Sequence, residues 1–336
     1  MTHRSGEFAL EGPLLLDSGE RLTGVRLAWE SWGALTGDVV LLLHGLSHSH
    51  RALQPAAEGL WSPGGWGAPF AGPGKLIEPS HFGILSVGLL GSPFGSTSPA
   101  SPQTGGEPWG ERFPELSVGD LSQPLPALLD HLGIPTVRAV IGVSLGGMVA
   151  LDLASKEPER IRAVATLLGP AALPDFVRRR LGMARQMLQA DPDFTSQDPA
   201  RARGALKRLR LTHLRDLYPR DWLARRFDDV FAAERALEQE AGAFARTFDP
   251  WAYLTLCRAM ANCDLMEELR GVRGRALVVA CASDDFAPPS RMQDTYHALS
   301  AAGVRARYFE IQSEAGHRAP YTEPRKLLPA LAELLS

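Results

Sequence analysis

The sequence contains few cysteines, and they form no recognisable pattern. Cys257, Cys263 and Cys281 are the three thiols in 336 residues. An odd number cannot all pair as disulfides, and their spacing matches no metal-binding motif. We therefore expect buried free thiols, as in a protein of a reducing compartment.

Long hydrophobic runs and a strong charge bias are also missing. No apolar run approaches the roughly 18 residues needed to span a bilayer, and the first ten residues, MTHRSGEFAL, lack the apolar core of a signal peptide. A net charge of −3 gives no reason to expect a nucleic acid as a partner. We expect a cytoplasmic protein that binds neither membranes nor nucleic acids.

Metal chemistry has little support either. His48 and His50 form an H-x-H on a predicted loop. Such a pair is more often solvated than coordinating, so we expect no metal and no bound cofactor.

What the chain does contain is a regular succession of strand-length apolar runs. They alternate with helical patterns, which predicts a mostly parallel sheet flanked by helices, an α/β fold. The predicted strands are residues 22–29, 39–43, 84–87, 137–143, 163–168, 276–281 and 307–311. Ser117 and Asp120 resemble a capping box that opens a helix to about residue 132, with a kink or late start at Pro124 and Pro126. A closing helix is predicted over residues 325–335.

Residues 171–265 have a different character. Strand-like runs stop, and Arg, Leu, Ala and Glu recur at helical spacing. We predict a core made of residues 1–170 and 266–336, with a helical lid at 171–265 inserted between two core strands. Residues 59–75, rich in Gly and Pro, are predicted to be irregular.

One short motif carries chemistry. Gly142-Val143-Ser144-Leu145-Gly146 is a G-x-S-x-G at the junction of a predicted strand and a predicted helix. That context is typical of the nucleophile elbow of the α/β-hydrolase fold, in which a strained turn exposes a serine hydroxyl. The flanking glycines allow the strand and the helix to approach closely.

Candidate partners for Ser144 follow two later strands. Asp284 and Asp285 come after strand 276–281, and His317 comes after strand 307–311. The carboxyl ends of parallel strands meet at one edge of the sheet, and the order Ser, Asp, His is the one expected of this fold. His317 would act as the base and one of the two acids would orient it. Leu145 and Leu46, which follows His44-Gly45, are the expected oxyanion donors.

Longer stretches resemble the homoserine O-acetyltransferases and related amino-acid O-acyltransferases of the α/β-hydrolase superfamily. The resemblance covers nearly the whole chain. Its segments are LAWESWGALTGDVVLLLHGLSHSH, GWGAPFAGPGKLIEPSHFGILSVGLLGSPFGSTSPAS, IGVSLGGMVAL, ARQMLQADPDF, FARTFDPWAYLTLCRAM and SDDFAPP.

The resemblance implies a two-step acyl transfer that serves methionine biosynthesis. Ser144 would take an acyl group, acetyl in the simplest case, from acyl-CoA as co-substrate and pass it to the hydroxyl of homoserine or a related small acceptor. It favours Asp284 over Asp285, implies that Arg185 holds the substrate carboxylate, and implies a homodimer formed through the lid.

The sequence departs from the family at the acceptor positions. Arg318 follows the catalytic histidine where the family has an aspartate that meets the substrate ammonium, so an anionic group is favoured there instead. Gln197-Asp198-Pro199 lacks a family tyrosine, Ser92-Pro93 replaces a glycine–cysteine pair, and Val143 replaces a smaller residue.

Three functions therefore stay open. The first is the CoA-dependent acyltransferase, for which the Arg-rich lid could cover CoA phosphates. The second is a serine hydrolase of esters or thioesters on the same triad, which differs in admitting water after acylation. The third is a non-catalytic binding or scaffold protein, against which the complete Ser, Asp and His set argues.

Overall fold

The computed structural model describes residues 2–55, 64–103, 105–194 and 199–336. The strands of these ranges are β1 (His3–Ala9), β2 (Leu14–Leu15), β3 (Arg21–Leu22), β4 (Arg26–Trp32), β5 (Val39–Leu43), β6 (Gly83–Val87), β7 (Ala139–Val143), β8 (Ala163–Leu167), β9 (Arg275–Cys281) and β10 (Arg305–Ile311).

The α-helices of the same ranges follow in chain order. They are α1 (Val118–Ser122), α2 (Leu125–His131), α3 (Leu145–Lys156), α4 (Asp175–Gly182), α5 (Ala184–Gln189), α6 (Pro199–Leu217), α7 (Arg220–Arg226), α8 (Val230–Thr247), α9 (Pro250–Ala261), α10 (Pro289–Ala301), α11 (Ala319–Thr322) and α12 (Leu328–Leu335). No helix in the described ranges combines the length and the apolar character that crossing a membrane requires.

Eight strands form one sheet in the order β1-β4-β6-β5-β7-β8-β9-β10. The pairs from β6 through β10 are parallel, while β1–β4 and β4–β6 are antiparallel. The central strands β5, β6, β7 and β8 are buried at every residue. Their near-continuous apolar sequences are typical of strands covered on both faces by helices, which confirms the predicted α/β-hydrolase fold.

Most predicted elements are confirmed, with small shifts at their ends. The strand predicted from residue 137 begins at Ala139, because Val137 makes only an isolated bridge with Ile161. The strand β1 and the β2–β3 hairpin were missed; β1 is exposed at six of its seven residues, so it shows no apolar alternation. Residues 59–63 of the predicted irregular segment lie outside the described residues, and residues 64–75 consist mainly of turns and bends.

The capping box is also confirmed. The Oγ of Ser117 accepts from the Asp120 N–H at 2.9 Å, and the Asp120 carboxylate accepts from the Ser117 N–H at 2.8 Å. The helix stops at Ser122 and α2 starts at Leu125. The break falls at Pro124, because proline has no N–H to continue the helical hydrogen bonds.

Between β8 and β9 the described chain is helical, from α4 to α9. The two ends of this segment meet, since the Leu265 N–H donates to the Ala171 carbonyl at 3.0 Å and Ala172 bridges Asp264. The helices therefore leave and rejoin the core at one place, beside the carboxyl ends of the strands. The boundaries of the lid at residues 171 and 265 stay a prediction.

Candidate active site

Ser144 occupies a strained backbone conformation between β7 and α3. Its φ of 54° and ψ of −119° lie in a region that L-residues with side chains rarely adopt. This conformation places Ser144 at the carboxyl end of β7, immediately before the first turn of α3. This is the geometry that the G-x-S-x-G motif predicts.

The glycines around Ser144 are explained by contacts that leave no room for a side chain. A Cβ on Gly142 would overlap the carbonyl of Gly146, and a Cβ on Gly146 would overlap the carbonyl of Leu43. A Cβ on Gly147 would overlap Oγ1 of Thr166. The three glycines thus let α3 start directly against β5, β7 and β8.

Three side chains from the carboxyl ends of β7, β9 and β10 form a hydrogen-bonded chain. The Oγ of Ser144 lies 2.9 Å from Nε2 of His317, and Nδ1 of His317 lies 2.7 Å from Oδ2 of Asp284. The other oxygen of Asp284 accepts from the backbone N–H groups of Phe286 at 2.9 Å and Ala287 at 3.1 Å. The carboxylate is fully buried and fixed, so it holds the imidazole ring with Nε2 directed at the serine.

The structure separates the two candidate acids. Asp284 contacts His317, whereas Asp285 is exposed and lines a second cavity nearer the surface. Asp284 is therefore the residue in position to orient the base.

The buried side chain of His44 fixes the loop after β5 by two hydrogen bonds. The Leu89 N–H donates to Nε2 of His44 at 3.0 Å, so the ring proton sits on Nδ1, which donates to the Gly45 carbonyl at 2.9 Å. Burial lowers the pKa of His44 to about 4, and the ring is neutral at pH 7. This support positions the next residue, Leu46, which lines the same cavity as Ser144, while Leu145 opens α3.

A small cavity of about 50 Å³ adjoins Ser144; we call it the inner cavity. Its lining residues are Gly45, Leu46, Ser47, His48, Ser144, Leu181, Arg210, His213, Leu217, Tyr253, Met260, Phe286, His317, Arg318 and Tyr321. Arg318 is therefore brought to the serine, as expected from its position after His317.

A larger outer cavity of about 750 Å³ lies next to it, between helices α4, α6 and α7 and the loop after β9. Leu181, His213 and Phe286 line both cavities, so they form the boundary between them. Arg180, Arg215 and Arg220 line the outer cavity together with Asp216 and Asp221. Arg180 pairs with Asp216, and Arg215 pairs with Glu234 at 3.2 Å.

The inner cavity contains two residues that the sequence analysis did not single out. Arg210 and His213 line it and are buried, as is His48 of the H-x-H pair. Burial, with the Arg210 charge as a smaller cause, lowers the pKa of His213 to about 3. A usable signal was present for Arg210: it is four residues from Leu206 and from Leu214, both fully buried, so it lies on the apolar face of α6.

Arg185 lies elsewhere. Its guanidinium pairs with Glu111 at 2.8 Å and lies over the Trp251 ring at 5.7 Å, and its side chain is 39% exposed. It is absent from the lining of both cavities, so the structure does not bring Arg185 to Ser144.

The H-x-H pair is not solvated, and that expectation was wrong. His48 and His50 are 5% and 7% exposed, because the loop after β5 folds over them. His48 stacks on Tyr321 with ring centroids 5.0 Å apart. Within the ranges that the structure covers, no group of three or more potential metal ligands lies together.

Two further sequence predictions concern the cysteines and the segment around Pro199. The three cysteines are free and buried, as predicted, and burial raises the pKa of Cys257 to about 12. Gln197 and Asp198 lie outside the described residues, as does the side chain of Pro199, so the missing tyrosine has no structural account.

Comparison with known proteins first defines the structural class of this protein. A family model described as the alpha/beta hydrolase fold matches residues 38–324. Among solved structures, esterase E22 superposes with a TM-score of 0.87 at 21% identity, covering 100% of both chains. The homoserine O-acetyltransferase from Bacillus anthracis gives a TM-score of 0.87 at 19% identity, covering 100% of this chain and 98% of that one. At these identities the likeness shows the fold.

The sequence defines the family more narrowly. The homoserine O-acetyltransferase of Zymomonas mobilis is 33% identical over 342 residues, which cover 92% of this chain and 91% of the relative. The chain belongs to the homoserine O-acetyltransferase family, a group of acyltransferases built on the α/β-hydrolase fold.

Proposed function

We propose that the protein is an O-acyltransferase that moves an acyl group, acetyl in the simplest case, from acyl-CoA to the hydroxyl of homoserine or a related small acceptor. The observation that carries the proposal is the Ser144–His317–Asp284 chain of hydrogen bonds, at 2.9 and 2.7 Å, in a member of an acyltransferase family. The reaction would belong to methionine biosynthesis if the acceptor is homoserine.

In the first half-reaction, Ser144 Oγ attacks the thioester carbonyl while Nε2 of His317 takes its proton. The carbonyl oxygen becomes an oxyanion, for which the N–H groups of Leu46 and Leu145 are the proposed donors. Loss of one such donor typically costs about 10²–10³ in rate. The C–S bond then breaks, His317 returns the proton to the CoA sulfur, and an ester of Ser144 is left.

In the second half-reaction, His317 takes the proton of the acceptor hydroxyl, and the acceptor oxygen attacks the seryl ester. Collapse of the second tetrahedral intermediate breaks the bond to Oγ, and His317 returns the proton to Ser144. The buried carboxylate of Asp284 stabilises the imidazolium in both steps.

The outer cavity supports the approach of a long thiol ester. It has about 750 Å³ and shares Leu181, His213 and Phe286 with the inner cavity, so an extended chain could reach Ser144 past these residues. Arg220 and the paired arginines of its wall are suited to the CoA phosphates.

The homodimer stays a proposal. It is supported by Val230 and Phe231 at the start of α8, which are 69% and 71% exposed, because exposed large apolar side chains are common at interaction surfaces. A cytoplasmic location is likewise still an expectation.

Ester or thioester hydrolysis is the second candidate, and Arg318 favours it. A cation lines the inner cavity where the resemblance leads one to expect an aspartate for the homoserine ammonium. A poorly held acceptor would leave water as the competing nucleophile.

Acetyl-CoA without an acceptor separates the candidates. A transferase releases about one equivalent of CoA per subunit, and mass spectrometry then finds an acetyl group on the peptide that contains Ser144. Continuous CoA release begins only when homoserine or another acceptor is added. Continuous CoA release without acceptor would establish the hydrolase. Failure of Ser144 to react with acetyl-CoA, with esters and with a fluorophosphonate probe would contradict both, and Ser144→Ala is the control for every arm.

A further inference from the structure

The wall of the inner cavity, as far as the structure describes it, carries two guanidinium groups and no carboxylate. Arg210 is 3% exposed and Arg318 is 9% exposed, and both line the cavity next to Ser144. Among the described residues that line it, none is an aspartate or glutamate. The cavity therefore presents positive charge to whatever occupies it.

Arg210 has donors left over for a ligand. Its Nε and Nη2 are buried and make no hydrogen bond to the described part of the chain. The nearest carboxylate, Glu240, has one oxygen 3.8 Å from Nη2, beyond hydrogen-bond distance, and its other oxygen accepts from the Tyr218 hydroxyl at 2.7 Å. Buried charged donors without acceptors are unfavourable, so an anionic ligand would complete this group.

The guanidinium of Arg210 is held in place by packing. Its central carbon lies 4.6 Å from the centroid of the Phe244 ring, which fixes the plane of the fork. A fixed planar fork is well suited to a carboxylate, which it can bind through two parallel hydrogen bonds.

Arg318 adds a second cation at the base of the same cavity. Its guanidinium carbon lies 4.9 Å from the Tyr321 ring centroid and 5.5 Å from that of Tyr218. Arg318 follows His317 in one turn of 3-10 helix, so its position is tied to that of the catalytic base.

The titratable side chains among the described lining residues supply no negative charge either. Burial, followed by the nearby Arg318, lowers the pKa of His48 well below its usual range, and His213 is neutral for the same kind of reason. Burial raises the pKa of Tyr253 and Tyr321, so both phenols stay protonated. Glu240 does not line the cavity, and its single negative charge does not balance the two positive charges of Arg210 and Arg318.

We infer that the acceptor is a small hydroxy acid with a carboxylate and no α-ammonium group, held through its carboxylate by Arg210 beside Arg318. The inference rests on the proposed function and narrows its acceptor class. Homoserine carries an ammonium group that the two arginines repel, whereas the same molecule without the ammonium, 4-hydroxybutyrate, presents charge of one favourable sign.

Four alcohols test the inference as a factorial set. Homoserine carries a carboxylate and an ammonium, 4-hydroxybutyrate only the carboxylate, 3-aminopropan-1-ol only the ammonium, and propan-1-ol neither. With the full-length protein and acetyl-CoA we expect kcat/KM to be at least ten-fold higher for 4-hydroxybutyrate than for homoserine, and lowest for 3-aminopropan-1-ol. Equal use of homoserine and 4-hydroxybutyrate, or a preference for homoserine, would overturn the inference.

Variants assign the effect to the two arginines. Arg210→Leu should lower kcat/KM for 4-hydroxybutyrate at least ten-fold more than it lowers kcat/KM for propan-1-ol, and Arg210→Lys should retain part of the preference for 4-hydroxybutyrate. Arg318→Asp should shift the preference toward homoserine. Arg208→Leu is the matched control on the same helix, because Arg208 is exposed and pairs with Asp191 and Asp193 outside the cavity. The rate of Ser144 acylation by acetyl-CoA shows whether each variant is folded.

A binding measurement separates this inference from the proposed function. Calorimetric titration of the Ser144→Ala variant with the four alcohols needs no chemistry. Tighter binding of 4-hydroxybutyrate in a protein that transfers no acyl group would overturn the proposed function and keep only the carboxylate-binding site at Arg210. Succinyl-CoA tests whether Arg210 instead binds a carboxylate of the acyl group. The acceptor assignment is wrong if succinyl-CoA acylates Ser144 at least ten-fold faster than acetyl-CoA does, if Arg210→Leu loses this advantage, and if the four alcohols show no preference.

Discussion

The Oγ of Ser144 lies 2.9 Å from Nε2 of His317, although 173 positions of sequence separate the two residues. The strands β7 and β10 carry them to the same edge of the sheet, and β9 adds Asp284 between them in the sequence. An imidazole nitrogen therefore lies within hydrogen-bond distance of the serine hydroxyl, and the first prediction concerns the orientation of this ring.

Asp284→Asn should lower kcat by about 10³–10⁴ while leaving the fold intact. An amide in place of the carboxylate favours the wrong imidazole tautomer and no longer stabilises the imidazolium. The neighbouring substitution Asp285→Asn is the control, because Asp285 is exposed and does not contact His317. Steady-state kinetics with acetyl-CoA, or with an acetate ester, measures both. A large loss in Asp285→Asn and a small one in Asp284→Asn would reverse the assignment.

Gly146→Ala should lower the free energy of unfolding by about 3 kcal/mol, the upper part of the range for overpacking a rigid interior. The added methyl group would overlap the Leu43 carbonyl, which is part of the central strand β5 and cannot move away. Gly182→Ala in α4 is the matched control, because a Cβ there meets nothing within 4 Å. It should change stability by less than about 1 kcal/mol. Urea unfolding of the parent and the two variants measures these differences. Equal urea midpoints for the parent and Gly146→Ala would contradict the close approach of α3 to β5.

Stability should fall as the pH is lowered from about 6.5 to about 4, and His44 should account for part of the loss. Its pKa is lowered from 6.5 to about 4 by burial in the folded state. Between these values the unfolded chain binds more protons than the folded one, so acid favours unfolding. A shift of this size corresponds to roughly 3 kcal/mol, present in full above pH 6.5 and lost as the pH approaches 4.

The measurement is the slope of the unfolding free energy against pH in the parent and in His44→Asn. The variant should have a flatter slope over this range, whatever its stability at pH 7. His81→Asn, a substitution of an exposed histidine in a turn, should leave the slope unchanged. Parallel slopes for the parent and His44→Asn would show that His44 does not remain neutral in the folded protein.

Arg185→Gln should leave the KM of the acceptor within about two-fold of the parent value. The side chain pairs with Glu111 at the surface and lines neither cavity. An exposed ion pair contributes about 0–1 kcal/mol to stability, so little change is expected in unfolding either. A ten-fold rise in KM would instead place Arg185 in the acceptor site, as the family resemblance implies.

Where prediction from sequence worked, the signal was local. The runs VVLLL and AVIGV predict fully buried strands, because strands covered on both faces are apolar throughout. Ser144 is marked by its glycines for a similar reason, since a tight junction excludes side chains. The edge strand β1 gave no such signal, because its side chains face solvent and its position is fixed by pairing with β4.

The lining of the inner cavity needed the fold. In the sequence Arg210 is one of many arginines in a helical segment, and Arg185 stands in a motif that resembles a family substrate site. Both lie on helices between β8 and β9, and the face of each helix that meets the sheet depends on how those helices pack against one another. His48 appeared to be a loop residue, but the loop after β5 folds inward against Tyr321 and buries it.

The sequence by itself determined the fold class, the candidate nucleophile Ser144 and the order of its hydrogen-bond partners, because the alternation of strands and helices and the glycine-flanked turn are encoded in neighbouring residues. Only the tertiary structure decided that Asp284 rather than Asp285 meets His317, and that Arg210 rather than Arg185 lies beside Ser144. Those outcomes depend on distances between segments far apart in the chain, which are set by the packing of helices α4 to α9 and of the strand-end loops and by no local pattern.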